Sequence, residues 1–344
     1  PSHQGFASSS LTWRQVNELA DHLAAALIDR GVKKGDRVAI FMPNIPQFVI
    51  TYYAILKAGG VVVATNPLYS PREIEHQLND AGAEVVIVMS LFYKTLKSVQ
   101  AKTNLKRVIV TSIKDYMGPI IKLLFSLTKE KKGGHKIDQL ATGDEWWNEV
   151  MAKYAAAPKP MVAVTPDDIA LFQYTGGTTG LAKGAVALHR NLVANTLQCR
   201  AWFVDVKDGQ DTTLAAIPLF HVYGMVVAMS LSVQAAATMV LVPNARDIPN
   251  VLAAIHQHQP SLFPAVPTLY NALNNHADLA KYNVKSIRAC ISGSAPLMPE
   301  TKLKFEQNTG GRLMEGFGLS EAPTATHCNP LHGENRPGSI GLPF

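Results

Sequence analysis

A run of glycines, threonines and one lysine is the part of this sequence best suited to phosphate chemistry. It reads Tyr-Thr-Gly-Gly-Thr-Thr-Gly-Leu-Ala-Lys-Gly over residues 174–184 and follows an apolar segment. Glycines let backbone N–H groups turn toward an anion, threonine hydroxyls donate further hydrogen bonds, and Lys183 adds a mobile positive charge. The run therefore predicts a phosphate-binding loop.

This loop differs from the phosphate loop of P-loop NTPases. That motif requires Gly at position 182 and Ser or Thr at position 184, where this chain has Ala182 and Gly184. The other interpretation is a flexible turn between strands. Turn chemistry explains the glycines, but it does not explain a threonine pair followed by a lysine.

Two further segments could lie against a planar, anionic ligand. Residues 315–323 read Glu-Gly-Phe-Gly-Leu-Ser-Glu-Ala-Pro, in which Phe317 offers a flat face for stacking and Glu321 offers a hard oxygen ligand for Mg²⁺. Residues 292–297 read Ser-Gly-Ser-Ala-Pro-Leu and could lay their backbone against a base. For this second segment, a plain strand-to-helix turn is the alternative.

His221 stands in the segment Pro-Leu-Phe-His-Val-Tyr-Gly at 218–224, before an apolar helix with Met225, Val226, Val227 and Met229. A single histidine at a helix start is commonly a structural hydrogen-bonding group, and a functional role is the alternative. The apolar positions fit either ordinary core or the lining of an apolar ligand channel.

Alternating strands and helices must position these motifs. A capping box at Thr12 and Gln15 predicts a helix that ends at Arg30-Gly31, and two more helices are predicted over 47–58 and from Ser70 to Gly82. Apolar runs predict strands at 37–41, 61–64, 84–89, 169–174, 185–188, 213–217, 238–242, 262–265 and 287–292. Unbroken apolar strands are typical of parallel sheets covered on both faces. The predicted fold class is α/β, with two doubly wound, mostly parallel-sheet lobes.

The predicted organisation has residues 1–160 as a first α/β stretch and residues 161–344 as a second stretch that carries the chemical motifs. An insertion at 112–160 interrupts the alternation, with an apolar run over 117–127 followed by Lys129, Lys131, Lys132 and Lys136. This amphipathic segment fits two interpretations. Its apolar face packs on the protein itself, or residues 112–136 make a peripheral membrane contact.

Composition excludes several classes of protein. The 344 residues are 47% hydrophobic and 17% charged with a net charge of +6, so the chain is neither a disordered tail nor a concentrated basic nucleic-acid binder. Three separated cysteines exclude a disulfide framework and a C-x-x-C zinc site. Without a membrane-spanning segment or signal peptide, a soluble cytoplasmic protein is expected, with a peripheral position at the inner membrane face as an alternative.

The motifs occur in an order that resembles the adenylate-forming superfamily of acyl-CoA synthetases and luciferase-like enzymes. The matching segments are 175–184, 218–224, 293–296, 316–321 and 338–341, supported by 56–67 and 266–273. Within that superfamily the chain looks most similar to long-chain fatty-acid–CoA ligases. The loop at 175–184 and the Gly-Phe-Gly-Leu-Ser-Glu motif are specific as a pair.

The resemblance implies an enzyme that uses ATP and Mg²⁺ to convert a fatty acid to an acyl-adenylate and then, with coenzyme A, to acyl-CoA. It implies that the β- and γ-phosphates are held by Thr175, Gly176, Gly177, Thr178, Thr179, Gly180 and Lys183. The implied adenine and α-phosphate contacts are Gly293, Ser294, Ala295, Pro296, Gly316, Phe317, Gly318, Ser320 and Glu321. The implied catalytic residues are Thr178, Lys183, His221 and Glu321, with Thr178 and Glu321 as metal ligands and His221 at the wall between the acyl and coenzyme A sites.

The sequence departs from the family pattern at Ala182, where proline is usual, at Phe317, where tyrosine is frequent, and at Ser320, where threonine is usual. The resemblance also implies that residues 1–344 form an incomplete N-terminal adenylation domain whose C-terminal partner, with its catalytic lysine, is absent. Loss of such a lysine should slow adenylation by roughly 10²-fold or more. A non-catalytic nucleotide- or acyl-binding module and a ligase for an aryl or medium-chain acid are the alternatives, and a homodimer stays open.

Overall fold

The computed structural model describes residues 9–175 and 181–344, which divide into two compact units, one within residues 6–189 and the other at 190–344. The first unit contains one seven-stranded sheet. Its strands are β1 (Arg37–Phe41), β2 (Val61–Ala64), β3 (Val85–Met89), β4 (Arg107–Thr111), β5 (Glu145–Trp146), β6 (Ile169–Thr175) and β7 (Lys183–Leu188). They are ordered β5-β4-β3-β1-β2-β6-β7. All neighbours are parallel except β6 and β7, so the predicted parallel sheet is confirmed.

The helices of this unit cross between the parallel strands. They are α1 (Trp13–Asp29), α2 (Pro46–Lys57), α3 (Pro71–Ala81), α4 (Ser90–Gln100), α5 (Pro119–Thr128) and α6 (Trp147–Lys153), with a 3₁₀ turn at Ile113–Tyr116. The predicted capping box of α1 is confirmed, since the Thr12 hydroxyl accepts from the Gln15 amide at 3.2 Å and the Thr12 amide donates to the Gln15 side chain at 2.8 Å.

The division between the units lies at residues 189 and 190, not at the predicted 160 and 161. The reason is strand pairing, because β6 pairs with β2 and β7 pairs with β6 in the first sheet. The predicted insertion contributes to the same sheet, since its short strand β5 pairs with β4. A segment inserted between two strands can add a further strand to their sheet. An apolar run predicts such a strand, but it does not show which sheet the strand joins.

The strands of the second unit are β8 (Thr212–Ala215), β9 (Thr238–Leu241), β10 (Ala289–Ser292), β11 (Arg312–Leu319), β12 (Ala322–Cys328) and β13 (Leu342–Pro343). They form two sheets, a two-stranded sheet of β8 and β9 and a four-stranded mixed sheet in the order β10-β11-β12-β13. The pairs β8–β9 and β10–β11 are parallel, whereas β11–β12 and β12–β13 are antiparallel. The segment predicted as a strand at 262–265 forms only isolated parallel bridges, from Leu262 to Thr213 and Ala289 and from Ala265 to Ser292.

The helices of the second unit are α7 (His189–Trp202), which begins at the boundary, then α8 (Leu231–Gln234), α9 (Ile248–His258), α10 (Pro267–Asn274) and α11 (Pro299–Thr309). A π-helix at Gly224–Ser230 stands where an apolar helix was predicted after His221, and its residues from Gly224 to Met229 are buried.

All three cysteines, Cys199, Cys290 and Cys328, are buried free thiols. Burial raises the pKa of Cys199 and of Cys328 to about 12, and it raises that of Cys290 further. Across residues 9–175 and 181–344, no helix combines the length and apolar character needed to cross a bilayer.

Candidate active site

A tight hairpin formed by β11 and β12 is the frame of the candidate site. Gly318 faces the carbonyl group of Thr324 so closely that a Cβ atom would lie 1.8 Å from its oxygen. At Gly316 a Cβ atom would lie 2.9 Å from a methyl carbon of Ile291. The two glycines of the Gly-Phe-Gly motif therefore permit backbone contacts that any side chain would prevent.

The hairpin forms one wall of a cavity of about 250 Å³ in the second unit. Residues predicted as site residues contribute to its lining: His221, Gly293, Ser294, Gly316, Phe317, Gly318, Ser320 and Glu321. Three separate segments of the chain thus meet at one cavity. Ala295 and Pro296, predicted to contact the base, are exposed and lie outside this lining.

Tyr223 packs against the turn at 293–294 that lines the cavity. Its buried hydroxyl donates to the Ile291 carbonyl at 2.8 Å, and its ring lies where a Cβ atom on Gly293 would come within 3.2 Å. Because Gly293 has no side chain, the backbone of the turn packs directly against the Tyr223 ring. Tyr223 was not predicted as a site residue, because nothing in its local sequence indicates that it packs beneath a turn about 70 residues away.

His221 lies at the cavity wall, and its Nδ1 accepts a hydrogen bond from the Tyr223 amide at 3.3 Å. The Nε2 atom therefore carries the proton of the neutral imidazole. His221 is exposed to solvent. The cavity walls around it nevertheless restrict hydration of the charged imidazolium, and this desolvation lowers the pKa of His221. Near neutral pH, His221 is therefore a neutral imidazole whose Nε2 carries the proton.

Phe317 and Glu321 are both exposed at the hairpin. The Phe317 side chain is 41% exposed, and its ring meets the His327 ring edge-on with centroids 6.4 Å apart. One face of Phe317 can therefore accept a stacked ring. Glu321 places an exposed carboxylate at the cavity lining.

Asn195 of α7 holds the second strand of the hairpin. Its Oδ1 accepts from the amides of Thr324 at 2.7 Å and Ala325 at 3.0 Å, and its Nδ2 donates to the Ala325 carbonyl at 2.7 Å. A buried side-chain amide thus satisfies three backbone groups that line or adjoin the cavity. Because these contacts join residues about 130 positions apart, no local pattern predicts the role of Asn195.

The predicted phosphate loop connects β6 to β7 in the first unit. Thr175 and Lys183 are paired across this antiparallel hairpin, and Lys183 is exposed. The candidate residues Gly176, Gly177, Thr178, Thr179 and Gly180 lie outside the described part of the chain.

Comparison with known proteins identifies the family. The family described as AMP-binding enzyme matches residues 3–344. The chain belongs to the AMP-binding enzymes. The resemblance expected from the motif order is therefore confirmed over nearly the whole sequence.

Two kinds of AMP-binding enzyme illustrate the similarity. A long-chain-fatty-acid–CoA ligase of Bacillus subtilis (strain 168) is 42% identical over 98% of this chain and 60% of its own length. A crystal structure of a long-chain-fatty-acid-CoA ligase (FadD1) from Archaeoglobus fulgidus matches all of this chain and 64% of its own, at a TM-score of 0.79 and 26% identity. An anthranilate CoA ligase in complex with anthranoyl-AMP matches 96% of this chain and 59% of its own, with a TM-score of 0.83 and 26% identity. The chain thus spans about 60% of the length of the curated relative.

Within the described residues of this AMP-binding enzyme, no group of three or more His, Cys, Asp or Glu side chains could by itself hold a metal ion. Glu321 is the carboxylate that the hairpin presents to the cavity. A cation at this position would depend on one carboxylate together with oxygen atoms of a ligand, an arrangement typical of Mg²⁺ bound to nucleotide phosphates.

Proposed function

We propose that the chain is the nucleotide- and acid-binding portion of an ATP-dependent fatty-acid–CoA ligase. The observation that carries this proposal is the single cavity where His221, the turn at 293–294 and the hairpin at 316–321 converge. The 42% identity to a long-chain-fatty-acid–CoA ligase supports a fatty acid as the substrate.

In the proposed reaction, an oxygen of the fatty-acid carboxylate bonds to the α-phosphorus of ATP, and pyrophosphate leaves. The thiol of coenzyme A then loses its proton to solvent and bonds through sulfur to the acyl carbon, and AMP leaves with the electron pair of the broken C–O bond. A carboxylate is already an anion at neutral pH, so the first step needs no general base. What the protein contributes is alignment of the attack and compensation of phosphate charge.

The proposed residue roles are those that the family resemblance implies. Phe317 stacks on adenine, while the backbone of Gly293 and Ser294 faces the other side of the base. Ser320 contacts the α-phosphate, and Lys183 with the loop from Thr175 to Gly180 holds the β- and γ-phosphates. His221 separates the acyl and coenzyme A sites, where its neutral imidazole adds no charge to an apolar acyl path.

Mg²⁺ fits this arrangement through Glu321, with Thr178 as a second proposed ligand. The exposed carboxylate of Glu321 faces the cavity, and one carboxylate with substrate phosphates and water is a typical Mg²⁺ environment. When bound, the ion neutralises charge on the pyrophosphate leaving group. Glu321 itself fixes where that ion can lie.

Calorimetry and a pyrophosphate-release assay on the same sample test the proposal. ATP with Mg²⁺ should bind, and pyrophosphate release should require a fatty acid; acids of increasing chain length, benzoate and anthranilate are compared. Release with aryl acids alone would replace the fatty-acid assignment by the aryl alternative. Binding without release for any acid, even after the C-terminal part of the Bacillus subtilis ligase is added, would indicate a nucleotide-binding module, and absence of ATP binding would contradict the proposal.

We further propose that α5 makes a peripheral contact with the inner face of a membrane. Five large apolar side chains of this ten-residue helix are exposed, and none of its residues is buried. The exposed fractions are Ile120 75%, Ile121 40%, Leu123 60%, Leu124 54% and Leu127 75%. Their spacing of three and four residues puts most of them on one face, which is the pattern of a helix that lies in the membrane interface.

The opposite side of α5 is attached to the protein. The Phe125 ring packs edge-on against His135 with centroids 5.5 Å apart. Lys114, which forms an ion pair with Glu130 at 2.5 Å, also donates to the Ser126 hydroxyl of α5 at 3.5 Å. Residues 114–138 contain six lysines and three acidic residues. This positive surplus favours an anionic lipid surface, at about 1 kcal/mol for each lysine near it, and disfavours a second copy with the same charge.

Sedimentation with vesicles of phosphatidylglycerol and phosphatidylcholine tests this contact. Binding should fall with salt and be lost in Leu123→Glu/Leu127→Glu. The control Leu68→Glu/Leu303→Glu, which alters two other leucines that are more than half exposed, should bind as wild type does. Equal sedimentation of all three proteins would refute the membrane contact. Self-association that depends on the α5 leucines would indicate a homodimer instead.

A further inference from the structure

Helix α3 holds both ends of the hairpin connection that is proposed to bind phosphate. Before the loop, the Tyr174 hydroxyl donates to Asp80 Oδ2 at 2.6 Å. After the loop, His76 Nε2 donates to the Ala182 carbonyl at 2.8 Å. His76 and Asp80 are four residues apart on α3, so they project from the same face of the helix.

α3 is a firm support for these bonds. Its N-terminus is closed by a capping box between Ser70 and Glu73, and its C-terminus ends at Gly82 in the left-handed conformation. Ile74 and Leu78 are buried in a hydrophobic cluster that also contains Tyr174. A helix fixed at both ends and along its apolar face can hold polar side chains in one position.

The hairpin stems are fitted closely to this support. A Cβ atom on Gly184 would lie 3.1 Å from Cζ of Tyr174, so glycine at that position lets the Tyr174 ring lie across β7. Burial, followed by the hydrogen bond to Asp80, raises the pKa of Tyr174, and its hydroxyl therefore remains a donor at physiological pH. Ala182 packs against the same hydrophobic cluster.

The geometry points to a positioning role for His76 and Asp80 in nucleotide binding. We infer that these two side chains fix the backbone on either side of the loop so that Lys183 leaves the hairpin in the direction of the β- and γ-phosphates. The His76 bond is to the carbonyl immediately before Lys183, where even a small shift of the peptide redirects the lysine side chain. This inference rests on the proposed function.

The family's usual proline at position 182 bears on the same point. Proline would restrict the backbone at 182 covalently, whereas Ala182 leaves that φ angle free. The hydrogen bond from His76 restrains the next peptide group, between Ala182 and Lys183, by a contact from another element. In this chain a noncovalent restraint thus acts on the carbonyl side of residue 182, whereas a proline ring would act on its nitrogen side.

Isothermal titration of ATP with Mg²⁺, and separately of AMP, tests the inference. His76→Ala should weaken ATP binding by about 3- to 10-fold, the effect of losing one positioned hydrogen bond, and leave AMP binding within about 2-fold. His76→Gln, whose amide can also donate to the Ala182 carbonyl, should recover part of the loss. Tyr174→Phe tests the other stem and should show the same preference for ATP.

Asn79→Ala is the matched control. It removes a 2.8 Å bond from the same helix to another backbone carbonyl, that of Lys102, away from the hairpin. This variant should leave both affinities unchanged. Thermal unfolding of each variant separates loss of fold from loss of positioning, and if His76→Ala does not fold, His76→Gln and Tyr174→Phe carry the test.

Equal losses of ATP and AMP affinity in the stem variants, or no loss at all, would overturn the positioning role while leaving the proposed function intact. If the wild-type protein bound AMP but not ATP, the assignment of the loop itself would fail. If it bound neither nucleotide, the proposed function and this inference would both be overturned.

Discussion

The charged side chains proposed to bind the nucleotide and its metal ion are exposed and lie beside close-packed turns. Lys183 is exposed beside a hairpin stem, and Glu321 is exposed beside the glycine-rich hairpin of the second unit. Exposed charges contribute little to stability, so replacing either one should alter ligand binding without unfolding the protein. Each can be tested separately.

Lys183→Ala should weaken ATP binding by roughly 1–3 kcal/mol, because a charge-assisted phosphate contact is lost. Calorimetric titration measures this change. Lys132→Ala, which removes an exposed lysine from the turn after α5, is the control for net charge and should bind ATP as wild type does. Unchanged affinity in Lys183→Ala would show that this lysine does not contact phosphate.

Glu321→Gln should remove the Mg²⁺ dependence of ATP binding and leave AMP binding nearly intact, since the substitution keeps the side-chain shape and loses only the anionic oxygen. Titrations with and without Mg²⁺ measure the difference. Glu300→Gln, an exposed glutamate at the start of α11, should retain the metal dependence. Persistent metal dependence in Glu321→Gln would assign the ion to another residue.

At the scale of elements, the β11–β12 hairpin depends on glycine for its closest contact. Gly318→Ala should destabilise the protein by roughly 3 kcal/mol or more, because overpacking here forces backbone apart rather than moving a flexible side chain. Urea unfolding measures the change. Leu319→Ala alters the next residue, whose side chain is 46% exposed, and should cost far less. Similar midpoints for the two variants would contradict the close packing at Gly318.

The sequence predicted elements well where one signal dominates. The apolar strands β1, β2 and β3 and the capped helices α1 and α3 appear at the expected residues. β12 was not predicted, because Ala-Pro-Thr-Ala-Thr-His-Cys lacks an apolar run and is held by pairing with β11 and by Asn195. Likewise, the run at 262–265 forms only isolated bridges, since local composition does not determine strand pairing.

The candidate site was also predictable only in part. The glycine-rich motifs can be recognised in the sequence, and the structure brings Gly293, Gly316 and Phe317 to one cavity. The residues that position these motifs could not be predicted, because Tyr223, Asn195 and His76 act through contacts with residues far away in the sequence. The chemical roles of the motif residues stay predictions.

At the scale of the whole molecule, chain length bears on activity. The chain spans about 60% of the length of a curated ligase relative. The family resemblance implies a catalytic lysine in a C-terminal domain, outside the matched region. We therefore expect slow acyl-CoA formation by these 344 residues alone. Adding the uncovered C-terminal part of the Bacillus subtilis ligase in trans should increase it.

A coupled assay for AMP release and thioester formation measures that increase. The same C-terminal part with its lysine replaced by alanine is the control and should restore much less adenylation. Full thioester formation by the 344 residues without any addition would show that the catalytic groups lie within residues 1–344.

The three buried cysteines have a practical consequence for such measurements. Maleimides and methanethiosulfonates react with thiolates, and buried thiols with raised pKa values are nearly unreactive toward them at neutral pH. A cysteine introduced at an exposed position, such as Leu127 on α5 or Leu303 on α11, would therefore accept a spin label or fluorophore selectively in the otherwise native sequence. Depth-dependent quenching of a probe at position 127 in lipid, with position 303 as the reference, would then report how far α5 enters the bilayer.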